Sequence, residues 1–87
     1  MADLDLIKNK IIQNLTPVYV DVVDLRGGDH IMATIVSTLF ENKSMIEQHQ
    51  MVYALFSCEM STNEIHALTL KTYTPSRWEK EKLNIKK

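Results

Sequence analysis

Apolar and polar residues alternate along this chain with two different periods, and the changes of period divide it into elements. Leu4, Ile7, Ile11, Ile12 and Leu15 recur at three- and four-residue steps, the spacing that lines one face of an α-helix. Asp3 stands where an N-cap is expected, and Pro17 closes the segment, since the residue before it, Thr16, is pushed towards extended backbone. Beyond it the period falls to two. Val18, Val20 and Val22 alternate with Tyr19, Asp21 and Val23, which predicts a strand buried on one face. Leu25 to Asp29 holds both glycines, Gly27 and Gly28, and reads as a turn, with His30 where the turn becomes the next strand. Ile31 to Phe40 is rich in β-branched residues and predicts a second strand, hairpin-paired with the first and ended by Glu41, Asn42 and Lys43.

Ser44 and Glu47 have the spacing of a capping box, opening a helix on which Met45, His49, Val52, Phe56 and Met60 share a face. Ser61, Thr62 and Asn63 form a short polar connection. Ile65, Ala67 and Thr69 then alternate with His66, Leu68 and Leu70, a third strand with a histidine at its head. Thr74 offers an N-cap hydroxyl, Pro75 a pre-set first helical position, and Tyr73 with Trp78 the spacing of a hydrophobic staple. The lysine-rich end from Lys80 to Lys87 is expected to fray. The order is helix, strand, strand, helix, strand, helix. A long helix between the second and third strands suits a right-handed crossover, so the third strand is expected to run parallel to a neighbour while the hairpin is antiparallel. The expected class is α+β, a mixed three-stranded sheet with helices on one face. All 87 residues make a single domain, with a core over 3–80 and a basic tail over 81–87.

Apolar residues at 45% and charged residues at 24% are those of an ordinary globular protein. A net charge of −1 argues against a general attraction to nucleic acid or to an anionic membrane, so any basic patch must be local. No apolar run approaches the roughly twenty residues of a membrane span. The first residues, MADLDLIKNK, carry acids where a signal peptide has a basic leader, and the expected location is the cytoplasm. One cysteine, Cys58, forms no internal disulfide and rules out a zinc site built on cysteine pairs. A metal centre held by this chain alone can draw only on His30, His49, His66, Cys58 and carboxylates.

His30 and His66 each stand at a strand rim, where a neutral imidazole can ligate iron or zinc. The plainer reading is a partly exposed histidine bonded to backbone. His49 falls on the apolar face of the long helix, where burial with a backbone hydrogen bond is the commoner fate. Cys58 projects from the opposite side beside Glu59 and reads as an ordinary thiol. There is no nucleophile elbow, phosphate-cradling glycine loop, paired-carboxylate motif or H-E-x-x-H, so an enzyme is not expected. Lys71, Arg77, Lys80 and Lys82 can form a basic edge for nucleic acid, although lysines on a solvated helix face are the ordinary case. The G-x-x-G loop with which KH-like folds approach phosphates is absent.

Ile65 to Trp78 reads I-H-A-L-x-x-K-x-x-T-P-x-x-W, preceded by V-S-x-x-F-E-x-K-S from Val36 and by H-x-x-V-Y from His49. Over about Val18 to Trp78 this resembles the BolA family, and Tyr73-Thr74-Pro75, Trp78 and Lys82-Leu83-Asn84 are most similar to its bacterial IbaG-like branch. The resemblance implies the order αββ(α)αβα, a topology like class II KH domains, and an extra break near the start of the long helix. It implies a non-enzymatic partner of a monothiol glutaredoxin, with which His66, matching the I-H-A histidine, and a loop residue, here His30, would hold a [2Fe-2S] cluster completed by the glutaredoxin and its glutathione. The family's R-H-R run is Gln48-His49-Gln50 here, so two charges useful for nucleic acid are missing. With two histidines at most, the isolated chain is expected to carry no cluster. Weak self-association remains compatible with the sequence. Lys71, Tyr73 and Arg77, beside the third strand and last helix, are expected to meet an acidic partner, from their nearness to His66. The alternative is a KH-like, nucleic-acid-binding transcriptional regulator of a stress response.

Overall fold

The computed structural model describes residues 4–27, 30–62, 65 and 67–85. Helix α1 spans Leu4–Leu15 and buries Ile7, Ile11 and Leu15, the face that the period assigns. Ile12, at 42% exposed, falls outside that face, because a step of one residue swings a side chain about 100° round the helix. Asp3 lies outside the described residues. Thr16 does not turn extended as Pro17 suggested: its φ is 40°, and its N–H bonds the Ile12 carbonyl at 3.1 Å. A left-handed residue closes the helix from within, and Pro17 then stops its continuation.

Strand β1 spans Tyr19–Arg26 and β2 spans His30–Val36, antiparallel from Tyr19↔Val36 to Arg26↔His30. The strand therefore runs into the segment expected as turn. Its register slips between Asp24 and Arg26, so Leu25 is a bulge residue, 55% exposed, and the reversal begins at Gly27, whose φ of 67° suits a residue without Cβ. The second strand stops at Val36, four residues before Phe40. Ser37 ends it: its hydroxyl donates to the Leu15 carbonyl at 2.7 Å and accepts from the Leu39 N–H at 3.1 Å. It thus satisfies the end of α1 and caps a 3-10 turn over Thr38–Phe40.

Helix α2, Met45–Leu55, opens with the expected capping box, Ser44 Oγ accepting from Glu47 N–H and Glu47 Oε1 from Ser44 N–H. The long helix does not continue unbroken to Met60. At Phe56 (φ −116°, ψ 19°) the N–H bonds Tyr53 rather than Val52, and a separate short helix α3 spans Ser57–Ser61. The break lets the Phe56 ring, wholly buried, turn into the core beneath Lys10, whose Nζ lies 5.3 Å from the ring centre. Strand β3, Ala67–Tyr73, begins two residues later than the alternation suggested. Ile65 is buried in a bend, its N–H on the Glu59 carbonyl at 3.2 Å. Helix α4 spans Pro75–Ile85 and so runs through most of the segment expected as tail.

The sheet order is β1-β2-β3, with β2 and β3 parallel from His30↔Ala67 to Val36↔Tyr73. Ile31, Ala33, Ile35, Leu68 and Leu70 are buried on one face beneath α1, Phe40, Val52 and Phe56. Each large aliphatic or aromatic side chain so buried is worth roughly 1.5–3 kcal/mol. Helix α4 sits at the end of β3, where Trp78 stacks on Tyr19 at 5.0 Å and tilts against Tyr73 at 5.3 Å. Tyr19 and Tyr73 flank the buried Val36 in register. The expected staple is therefore present and extends to the first strand.

Candidate functional site

Parallel pairing of β2 and β3 assigns the candidate residues to two ends of one strand pair. At one end His30, half-buried, opens β2 and lies in register with Ala67, the first residue of β3. His66 precedes Ala67 in the chain but lies outside the described residues. Alternation along β2 puts His30 on the same face as Met32 and Thr34, opposite the core. Among the described residues no three His, Cys, Asp or Glu gather as a metal-holding group. Cys58 is exposed on α3, as the helical wheel suggested. Its neighbour Glu59 is held by Lys10 Nζ at 2.8 Å, and this hydrogen bond, above all, lowers the carboxyl below its ordinary 4.5. The other carboxylate oxygen, Oε1, is shut away from solvent with no hydrogen-bond partner among the described residues.

At the other end Lys71, Tyr73 and Arg77 come together. They line an open groove of about 330 Å³ with Met45, His49, Leu70, Thr72 and Glu81. The three residues expected to meet a partner thus share one surface, but Lys71 and Tyr73 stand four and six residues from Ala67 along β3, roughly 13 and 20 Å at strand rise. Lys80 and Lys82 are absent from the groove lining, and Lys82 pairs with Glu79 at 3.3 Å. The four cations expected as a basic edge are therefore interrupted by carboxylates rather than forming one continuous patch.

His49 differs from its sequence expectation. It is half-buried, and its Nε2 is buried without a hydrogen-bond partner among the described residues. The buried, satisfied polar residue of this helix is its neighbour. Gln48 Nε2 donates to the carbonyls of Phe40 (3.3 Å) and Lys43 (3.0 Å), and its Oε1 accepts from the Thr72 hydroxyl at 2.7 Å. That amide joins the turn before α2 to β3 and so fixes the wall of the groove against its floor. The apolar period gave no sign of it; the polar Thr72 on the inward side of β3 was the available signal.

The family model described as BolA-like protein matches residues 11–77 of this chain. Protein BOLA2 of Arabidopsis thaliana is 35% identical over 81 residues, covering 90% of this chain and 85% of the relative. The Escherichia coli (strain K12) protein named DNA-binding transcriptional regulator BolA is 32% identical, covering 84% and 76%. Acid stress protein IbaG of the same organism is 36% identical over 58 residues, covering 66% and 69%. Among solved structures, a bol-like protein from Babesia bovis superposes with a TM-score of 0.83 at 31% identity, covering 94% of this chain and 95% of the other.

Proposed function

This chain belongs to the BolA-like family, and from that premise we propose that it is a non-enzymatic partner of a monothiol glutaredoxin in the cytoplasm, sharing a [2Fe-2S] cluster for iron-sulfur trafficking or iron and redox regulation. The observation that carries this reading is the register His30↔Ala67. It sets one histidine of β2 level with the chain neighbour of the other, with His30 on the sheet face opposite the core. Two imidazoles fit one side of a cluster whose other side is held by thiolates of the glutaredoxin and its glutathione. A cluster so held would supply redox chemistry at a raised potential, since neutral imidazole replaces thiolate charge. The chain's own part is to present unprotonated ring nitrogens, so acidification is expected to release the cluster. Lys71, Tyr73 and Arg77, at the far end of β3, are the surface we assign to the partner.

Reconstitution tests this. The protein is mixed with a monothiol glutaredoxin, iron, sulfide and glutathione, and visible absorption and circular dichroism are compared for wild type, His66→Ala and His30→Ala. A heterodimer spectrum distinct from that of the glutaredoxin alone, changed in both variants, is expected. Unchanged spectra in both, or no heterodimer, would sink the reading.

The name of the E. coli regulator favours a second reading, binding of DNA through Lys71, Arg77, Lys80 and Lys82. Binding that weakens with salt in proportion to the phosphates engaged, and that is lost in Lys80→Ala with Lys82→Ala, would support it.

A further inference from the structure

The burial pattern along β2 marks where the outer face of the sheet is covered and where it is not. Ile31, Ala33 and Ile35 point to the helices and are wholly buried, while His30, Met32 and Thr34, on the other face, keep part of their surface in solvent. Val36 belongs by alternation to that outer face, yet it too is wholly buried. Its cover is Trp78, whose ring meets those of Tyr19 and Tyr73 on either side of it. β3 repeats the pattern: Ala67 is half-buried, Thr69 and Lys71 are exposed, and cover returns at Tyr73.

An uncovered strip therefore runs along the two parallel strands from His30 and Ala67, through Met32 and Thr69, to Thr34 and Lys71. At strand rise it is roughly 13 Å long. Its chemistry changes along the way. A histidine stands at one end. Met32, in register with Val23 of β1, gives a polarizable apolar middle. Lys71, which forms no ion pair among the described residues, gives a cation at the other end. In the row of Lys71 the charge also changes across the sheet, because Asp21 of β1 lies in register with the intervening Thr34. A lysine on one edge strand and an aspartate on the other, roughly 10 Å apart across two strand spacings, admit an acid on the β3 side only.

We propose that the protein sharing the cluster lies along this strip, with an apolar side chain over Met32 and a carboxylate against Lys71. His30 and Lys71 are on the same face of the sheet, so a partner in contact with both closes over the residues between them. Closure takes Met32 and the methyl groups of Thr34 and Thr69 out of water, the centre of a contact whose rim is charged. The Asp21–Lys71 row then sets the direction in which the partner lies, since turning it end for end across the sheet would bring its acid to Asp21. Asp21 likewise opposes a run of phosphates but tolerates a single carboxylate at the far edge. The proposal rests on the proposed function for the identity of the partner. It adds the surface on which that partner lies and the chemistry it must present there.

Cross-saturation tests it. The full chain, deuterated except for its Met, Thr and Ile methyl groups, is combined in heavy water with a protonated monothiol glutaredoxin, iron, sulfide and glutathione, and the partner's aromatic protons are irradiated. The methyl signals of Met32, Thr34 and Thr69 are expected to lose intensity, while that of Ile46, 70% exposed on the helix side of the sheet, is unchanged. Met32→Glu and Lys71→Glu are each expected to weaken the heterodimer by about tenfold. The cluster that still forms in them keeps its wild-type spectrum, since His30 and His66 remain, and Ile46→Glu binds as wild type does. A heterodimer with the expected cluster spectrum whose Met32, Thr34 and Thr69 methyls stay unsaturated overturns the proposal and leaves the proposed function standing. Failure of any heterodimer to form sinks both. If Met32→Glu does not fold, the saturation pattern of the wild-type chain decides alone. Shifts of these methyls that come with a second copy of the chain, or with a short oligothymidylate, in place of saturation by the glutaredoxin overturn it equally.

Discussion

Gln48 spends both ends of its amide on three hydrogen bonds, to Phe40, Lys43 and Thr72. Removing it takes from the buried Thr72 hydroxyl its short acceptor and leaves it the Met45 sulfur at 3.5 Å, and leaving a buried polar group poorly paired costs about 1–3 kcal/mol. Gln48→Ala is accordingly expected to lower stability by about 2 kcal/mol, seen as a lower urea midpoint with an unchanged slope. A midpoint equal to that of wild type would show that water replaces the amide without loss. The sequence does not distinguish Gln48 from His49 next to it. Apolar periodicity marks the face of a helix but does not say which of two adjacent polar residues at its margin is drawn inward. That depends on the polar group across the interface, here Thr72, and so on a pairing that exists only after folding. The place of His30 at the head of β2 is legible because the glycine turn beside it is a local signal.

Elements with their own end signals are legible in the chain. The Ser44–Glu47 box, the Pro75 helix start and the Tyr73–Trp78 staple each involve residues three to five apart, and each forms as its spacing demands. The early end of β2 and the break at Phe56 were not legible, because both answer to partners far along the chain: Ser37 to the Leu15 carbonyl, Phe56 to Lys10 on α1. Lys10 also ties α1 to α3 through Glu59. Because this bond holds the folded-state pKa of Glu59 below 4.5, its contribution is full above that value and is lost as the pH falls through the folded pKa. Lys10 is 37% exposed along its side chain, and solvent screening limits the contribution to under about 1 kcal/mol. Glu59→Gln should therefore be less stable than wild type at neutral pH, and the difference should vanish in acid. A difference that persists under acid would assign the effect to packing rather than to the ion pair.

Across the whole molecule, the mixed sheet followed from one observation, a long helix separating two apolar strands, and the handed crossover makes the parallel pair its natural result. The separation of the two candidate sites did not follow, since it is set by register: His30 and Ala67 close one end of β2 and β3, Tyr73 and Val36 the other. Sequence proximity to His66 thus suggested a single docking surface, whereas strand rise spreads its members along the sheet. A partner that shares a cluster at His30 and also docks on Lys71, Tyr73 and Arg77 must therefore span the length of the strand pair.

The same sheet order has a kinetic side. β1 and β2 meet across a short turn, but β3 reaches β2 only after the chain from Ser37 to His66 has closed on itself, and closure entropy falls due before that pairing returns any energy. The hairpin with α1 is therefore expected to form ahead of β3. In stopped-flow measurements Val22→Ala should chiefly slow folding, and Leu70→Ala should chiefly hasten unfolding; the opposite partition would place β3 in the nucleus. Until the crossover closes, β2 offers an unpaired ladder, so the chain is most exposed to pairing with other chains in the interval between its first hairpin and its last strand.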